Sequence, residues 1–190
     1  MSELGVAGVR SGRRCAWCTD DELYVAYHDT EWGVPERDPR ALFELFTLEG
    51  AQAGLSWLSV QRRRDGYRRA YCDFDVDVVA AFDDERVDQI LRDPGVIRHH
   101  QKVRSVVTNA RAIVRLRDGT EPRDFASYVW SFATGDDSAS IARAMSAQLA
   151  RDGFTFAGLT ICRSFVQASG MVNDHAPDCF RFAELSDPGH

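Results

Sequence analysis

The chain has 190 residues, 44% of them hydrophobic and 27% charged, with a formal net charge of −6. That length suits one large domain or two small ones with a real core, and the apolar fraction excludes wholesale disorder. Glycine and proline are too sparse for a collagen-like or linker protein, and no apolar run is long enough to span a membrane.

In chain order the sequence predicts helices almost throughout. Residues 1–14 are small, polar and arginine-containing, and are expected to form a loose tail. Asp38-Pro39 opens an apolar stretch (Ala41, Leu42, Leu45, Phe46), with Pro39 suited to a first helical turn. A short helix is expected after Ser56, followed by a basic, aromatic segment from Arg62 to Tyr71. Asp75 has the chemistry of an N-cap for Val76, Val78, Val79 and Phe82, and another helix should hold Val87, Ile90 and Leu91.

After the break at Asp93-Pro94-Gly95, a long helix is expected from about residue 97 to 116. One face carries Val103, Val106, Val107, Ala110, Ile113 and Val114; the other carries Arg98, His99, His100, Lys102, Arg104 and Arg111. Helices at 123–133, 139–151 and 159–170 complete the series. No alternating strand pattern, repeat or linker interrupts it. The expectation is an all-α fold, one domain over 15–180, with 181–190 as a C-terminal tail.

Five cysteines (15, 18, 72, 162, 179) and an N-terminus without a long apolar stretch suggest thiols in a reducing, cytoplasmic setting. Cys72 and Cys162 lie amid apolar neighbours and are expected in the core. The other three belong to two clusters at the chain's ends: Cys15-Ala-Trp-Cys18 followed by His28, and His175-Ala-Pro-Asp-Cys179. Thiolate and imidazole are the ligands zinc prefers in four-coordinate structural sites, and joining the ends would couple metal binding to folding. Cys18 makes a fifth candidate for four positions.

Between Trp17 and Trp57 the chain is dense in rings: Tyr24, Tyr27, Trp32, Phe43 and Phe46. Among them stands Glu49, flanked by small or apolar residues and with no adjacent cation. A carboxylate there is either exposed at a helix end or buried with a task. Gly50 and Gly54 would let a flat ligand or another backbone approach closely. A carboxylate among electron-rich rings suits a flat, cationic guest.

Three motifs carry a family resemblance: Tyr-x-x-Tyr-His-Asp-x-Glu-Trp-Gly-Val-Pro at 24–35, Leu-Glu-Gly-x-Gln-Ala-Gly-Leu-Ser-Trp at 48–57 and Val-Asn-Asp-His at 172–175. They are similar to those of the DNA-3-methyladenine glycosylases of type I, from about Cys15 to Cys179. The resemblance implies a helix-hairpin-helix glycosylase bundle, with the basic helix and hairpin within about 97–175. The hairpin is degenerate, because Ala157-Gly158-Leu159-Thr160 stands where Pro-Gly-x-Gly is usual.

By the same resemblance, Cys15, His28, His175 and Cys179 would hold one structural zinc, leaving Cys18 a bystander. Glu49 would be the catalytic, base-recognising carboxylate, with Trp17, Tyr24, Tyr27, Trp32 and Trp57 around the base. Leu55, Gly158, Thr160 and Lys102 would touch DNA, with Leu55 filling the stack after a base leaves. Asn173 stands where many relatives carry an aspartate. The hairpin helix lacks the lysine with which bifunctional relatives form a Schiff base, and Lys102 is the chain's only lysine. The implied enzyme is a monomeric, monofunctional glycosylase hydrolysing the N-glycosidic bond of 3-methyladenine in double-stranded alkylated DNA, with no membrane partner. The alternatives are a zinc-stabilised helical DNA-binding module without catalysis, and a zinc hydrolase with an open coordination position.

An acidic chain is an unexpected DNA partner. Basic residues nevertheless concentrate at Arg62–Arg64, Arg68, Arg69 and along 98–117, and acids at 73–93. Screening beyond about 8–10 Å would let such a basic face hold phosphates locally.

Overall fold

The computed structural model describes residues 12–135 and 137–186. They form helices α1 (Glu22–Thr30), α2 (Pro39–Gln52), α3 (Trp57–Gln61), α4 (Arg64–Ala70), α5 (Val76–Ala80), α6 (Asp84–Arg92), α7 (His100–Asp118), α8 (Phe125–Trp130), α9 (Ser138–Arg151), α10 (Leu159–Ala168) and α11 (Phe180–Ser186). The described residues contain no strand, and none of their helices is long and apolar enough to cross a membrane.

Aspartate starts most of these helices. Asp21, Asp38, Asp75, Asp83, Asp124 and Asp137 each accept hydrogen bonds from first-turn N–H groups. Each satisfies donors that a helix cannot pair internally, typically worth about 1 kcal/mol. Much of the chain's acidity therefore has a local structural use.

Helix α2 runs through the centre, burying Leu42, Phe43, Phe46 and Leu48. Phe46 meets Phe125, Phe154 and Phe165 edge-on, with ring centroids 5.3–6.1 Å apart. Complete burial of such a ring contributes roughly 2–3 kcal/mol. Helix α7 lays its apolar face on α5, α6 and α2, while α9 and α10 pack as an antiparallel-type hairpin across the 152–158 turn. Where α4 passes the turn before α7, Gly66 and Gly95 touch through bare backbone; a Cβ at Gly66 would lie 2.0 Å from the Gly95 oxygen.

Several expectations are corrected. Helices α1 and α11 were not anticipated. Residues 180–186 are helical where a C-terminal tail was expected, and 187–190 lie outside the described residues. Of the expected N-terminal tail, residues 1–11 lie outside the described residues, while Arg13 O accepts a hydrogen bond from Phe180 N (3.0 Å) and Arg14 pairs with Asp29. The Asp75-capped helix stops at Ala80, short of Phe82, and leaves Val78 exposed. Cys162 is buried as expected, but Cys72 is exposed, in a 3-10 turn (Cys72–Phe74) with positive φ at all three residues.

Much of the basic face, though exposed, is paired within the molecule. Arg104 pairs with Asp84 (2.9 Å), Arg117 with Asp77 (2.8 Å), and Arg111 donates to the Ala80 and Phe82 carbonyls (2.9 and 2.7 Å). Arg62 pairs with Asp21, while Arg64 and Arg68 converge on buried Glu44. The acidic 75–84 segment packs on α7, so the two charge runs neutralise each other across one interface.

Candidate active site and metal centre

The last turn of α1, the segment before it, the turn after α10 and the start of α11 bring four side chains together. Cys15, His28, His175 and Cys179 are all buried, with one ligand atom from each within 4.8 Å of the others. Cys15 Sγ lies 3.4 Å from His175 Nδ1; Cys179 Sγ lies 3.4 Å from His28 Nε2 and 3.6 Å from His175 Nδ1. Those separations match the roughly 3.5 Å edge of a tetrahedron built with thiolate and imidazole bonds of about 2.3 and 2.0 Å.

The outer nitrogens are engaged as well. His28 Nδ1 lies 2.8 Å from Asp29 Oδ1, and Arg14 grips that carboxylate through Nε (2.8 Å) and Nη2 (2.6 Å). His175 Nε2 lies 3.0 Å from the Trp32 carbonyl oxygen. Outer partners of this kind fix which nitrogen faces a metal. Gly33, at φ +78°, makes the His175 contact possible, since a Cβ there would sit 2.9 Å from Nε2.

Burial pushes the Cys15 thiol up to about 11 and the His175 imidazole down to about 4, so charge is disfavoured here unless a cation joins it. The residues fit a four-coordinate metal ion. Cys18 remains outside the set, its thiol facing the Thr19 carbonyl.

Against this cluster lies a cavity of about 610 Å³. Trp17, Tyr24, Tyr27, Trp32 and Trp57 all line it, with Cys15 and Ala176 from the metal cluster at its edge. Trp17 lies 5.0 Å from Trp32, Tyr27 lies 5.1 Å from Trp57, and Trp32 stands edge-on to His175 at 4.5 Å. The expected aromatic set is thus brought together on one wall.

Glu49 enters this cavity from the last turn of α2, only 5% exposed, and its Oε2 has no hydrogen-bond partner. Burial raises its carboxyl from 4.5 to about 8. Of the two options the sequence left open, the structure takes the buried one. Trp57 Nε1 is likewise buried and unpartnered. An acceptor and a donor without partners, among tilted and edge-on rings, favour a planar guest with its own polar edge. Burial, then the charge of Glu49, raises the Tyr27 hydroxyl well above its ordinary range.

Sequence reasoning missed Gln52, Ser164, Gln167 and Asp174, which also line the cavity. Polar residues scattered on α2, α10 and the turn beyond it leave no periodic signal. Asp174 accepts a hydrogen bond from Gln167 (2.8 Å), whereas Asn173 donates to Phe182 O and serves α11.

A smaller recess of about 170 Å³ adjoins the cavity and is lined by Glu49, Gln52, Leu55 and Thr160. Leu55 is exposed on a loop turned by Gly54 at φ +77°. Gly158 starts α10 in open surroundings, with no side-chain cap for its first N–H groups. Lys102, expected on a phosphate, instead donates to the carbonyl oxygens of Ala51 (2.8 Å) and Ala53 (2.6 Å). The end of α2 has unpaired carbonyls and a partial negative charge, which an ammonium satisfies.

Known proteins resemble this chain in sequence and fold. The sequence profile of the family described as methyladenine glycosylase matches residues 17–182. DNA-3-methyladenine glycosylase 1 of Escherichia coli K12 is 44% identical over 179 residues, covering 87% of this chain and 95% of that protein. The crystal structure of a 3-methyladenine DNA glycosylase I superimposes with a TM-score of 0.83 at 43% identity, covering 88% of this chain and 98% of the other. A tyrosine-to-phenylalanine variant of that glycosylase type, solved in complex with 3-methyladenine, superimposes at 0.80 and 30% identity, covering 88% and 96%.

Proposed function

This chain belongs to the methyladenine glycosylase family, and from that premise we propose that Glu49 and the surrounding rings form the site of its chemistry. It is a DNA-3-methyladenine glycosylase, a hydrolase acting on the N-glycosidic bond of 3-methyladenine in alkylated DNA. The observation that carries the site assignment is the unpartnered, buried Glu49 carboxyl in an aromatic cavity large enough for a base. It also weighs against a binding module without catalysis, which would have no use for such a costly group.

Adenine methylated at N3 carries positive charge within DNA, so its bond to the sugar is already weakened. Such a leaving group needs recognition and electrostatic support more than strong acid catalysis. The damaged nucleotide leaves the duplex at a cost of a few kcal/mol, least for a poorly stacked base. In the cavity the rings of Trp17, Tyr24, Tyr27, Trp32 and Trp57 attract the cationic heterocycle. Burial raises the Glu49 carboxyl to about 8 and so favours its protonated form. A cationic base lowers that proton affinity and gives the ionised carboxylate its missing partner, accepting hydrogen bonds from the base's N–H edge. Neutral adenine offers no such compensation, which is a source of discrimination. The same carboxylate stabilises the sugar's developing positive charge as the bond opens.

Leu55 fills the vacated stack, while Gly158 and Thr160, where the hairpin between α9 and α10 meets the α10 N-terminus, take a phosphate of the strand. A single chain supplies every residue required. The only lysine is held on α2 carbonyls, which supports hydrolysis without strand cleavage. Zinc suits the Cys15, His28, His175 and Cys179 donors, and when bound it supplies a cross-link between the chain's two ends. With four protein ligands it has no position for water, so its role is structural.

Mass analysis of bases released from methylated duplex DNA tests this reading. The expected product is free 3-methyladenine with the strand intact. Cleaved backbone, or enzyme trapped on DNA by borohydride, contradicts it.

A further inference from the structure

Helix α7 holds the turn between α9 and α10 through one side chain. The Asn109 carboxamide, 3% exposed, takes a hydrogen bond from Thr155 N at Oδ1 (2.8 Å) and donates from Nδ2 to Thr155 O (3.0 Å). The Thr155 hydroxyl approaches the same Oδ1 at 3.4 Å. The amide thus pairs with both backbone groups of one residue, as a neighbouring strand would. Among the described residues, neither Thr155 backbone group has a main-chain partner.

The next residue in the turn requires restraint. Phe156 has φ +51°, a left-handed conformation that an aromatic residue rarely adopts. Its side chain packs over bare Gly50 of α2, where a Cβ would lie 3.4 Å from the Phe156 Cβ. Gly50 directly succeeds Glu49, and two residues beyond Phe156 the uncapped α10 begins at Gly158. Phe154, on the other side, is buried and stacks on Tyr128 and Phe125. The turn therefore bears on α2 at Gly50, next to Glu49, and on the strand-facing N-terminus of α10.

We infer that Asn109 is a positioning residue for excision: by clamping Thr155 it holds the strained Phe156 turn, fixing the α10 N-terminus in register with the Glu49 cavity. Strain kept at a turn beside a functional site persists only where the surroundings over-determine it, and the Asn109 amide supplies that determination. Without it Phe156 relaxes toward an ordinary conformation and the hairpin shifts relative to the pocket. Glu49 and the aromatic residues of the cavity, carried by α2, α3 and the chain around α1, stay in place, and of its lining only Ser164 and Gln167 lie on α10. The inference rests on the proposed excision chemistry and adds a residue outside the pocket to it.

The test uses the full chain with Asn109→Leu, which fills the volume but removes all three contacts, and Asn109→Asp, which keeps only the acceptor. Measured are kcat and KM on methylated duplex DNA, affinity for free 3-methyladenine, and hydrogen exchange at the Thr155 amide. For Asn109→Leu, kcat/KM on DNA should fall about tenfold, chiefly through KM, with free-base affinity within about twofold of the parent. Thr155 exchange should quicken while α2 amides stay protected, and Asn109→Asp should fall between the two. If Asn109→Leu does not fold, Asn109→Asp carries the same comparison. Unchanged KM overturns the inference, and so does parallel loss of free-base binding and α2 protection, which marks a general structural role. A parent enzyme that releases no 3-methyladenine defeats the underlying functional reading instead, while the Thr155 exchange still reports on the clamp.

Discussion

Two buried polar clusters lie side by side in this molecule, and they are completed in opposite ways. In the Cys/His cluster each imidazole has an outer partner, Asp29 or the Trp32 carbonyl, and the inward atoms face one another at 3.4–3.6 Å. In the neighbouring cavity, Glu49 and Trp57 are buried with polar atoms that nothing in the protein satisfies. A group left so costs about 1–3 kcal/mol or more if uncharged, which folding alone gives no reason to retain. The first cluster needs only an ion to be complete; the second needs a ligand. Their shared boundary, Trp17, Trp32, Cys15 and Ala176, sets the Cys/His cluster against the cavity.

Breaking the metal cluster should have the larger effect. Cys179→Ser removes one of four ligands. Metal content measured by mass spectrometry should fall well below one equivalent, and Tm should drop by roughly 10 °C or more. Retained metal and fold with lost excision would instead assign the metal to catalysis. Asp29→Asn weakens the outer support of His28, and metal affinity in a chelator competition should fall about 10- to 100-fold while the protein stays folded at saturating metal.

The smallest effect sharpens the cavity side. The Glu49 carboxyl is raised to about 8 in the folded chain against 4.5 ordinarily. Between those values the unfolded chain ionises Glu49 while the folded one does not, so its burial is increasingly destabilising as pH rises from 4.5 to 8. Glu49→Gln should therefore gain stability over the parent progressively between pH 5 and pH 8, the metal cluster's own pH dependence being common to both. A pH-independent difference in denaturant midpoint would show that Glu49 is not buried in this way.

The long helices were legible because their apolar residues recur at helical spacing, with an aspartate cap at Asp38 before α2 and the Asp93-Pro94-Gly95 break ahead of α7. Helix α1 was not, because Tyr24, Tyr27 and His28 serve the cavity and the metal cluster rather than a regular apolar stripe. Helix α11 begins directly after Cys179 and is joined to the preceding turn through Asn173, a long-range arrangement with no local signature. The side chains of the candidate site were named in the sequence by motif, and the structure gathers the aromatic residues, Glu49 and the four Cys/His residues. Charge was where the sequence misled. The basic run on α7 and the acids at 75–84 look like separate features along the chain, yet they face each other in space. Lys102 is the sharpest case: an ammonium on a basic helix, turned to the carbonyls that end α2.

That end of α2 also carries the unsatisfied Glu49 carboxyl, proposed as the working group of the cavity. Glu49→Gln with metal content verified, assayed for 3-methyladenine release from methylated DNA beside the parent, tests that role most directly. The expected result is a folded, fully metallated protein whose excision rate is lower by about 10²–10³-fold, as when a pre-organised electrostatic group is removed. Release at the parental rate would contradict it.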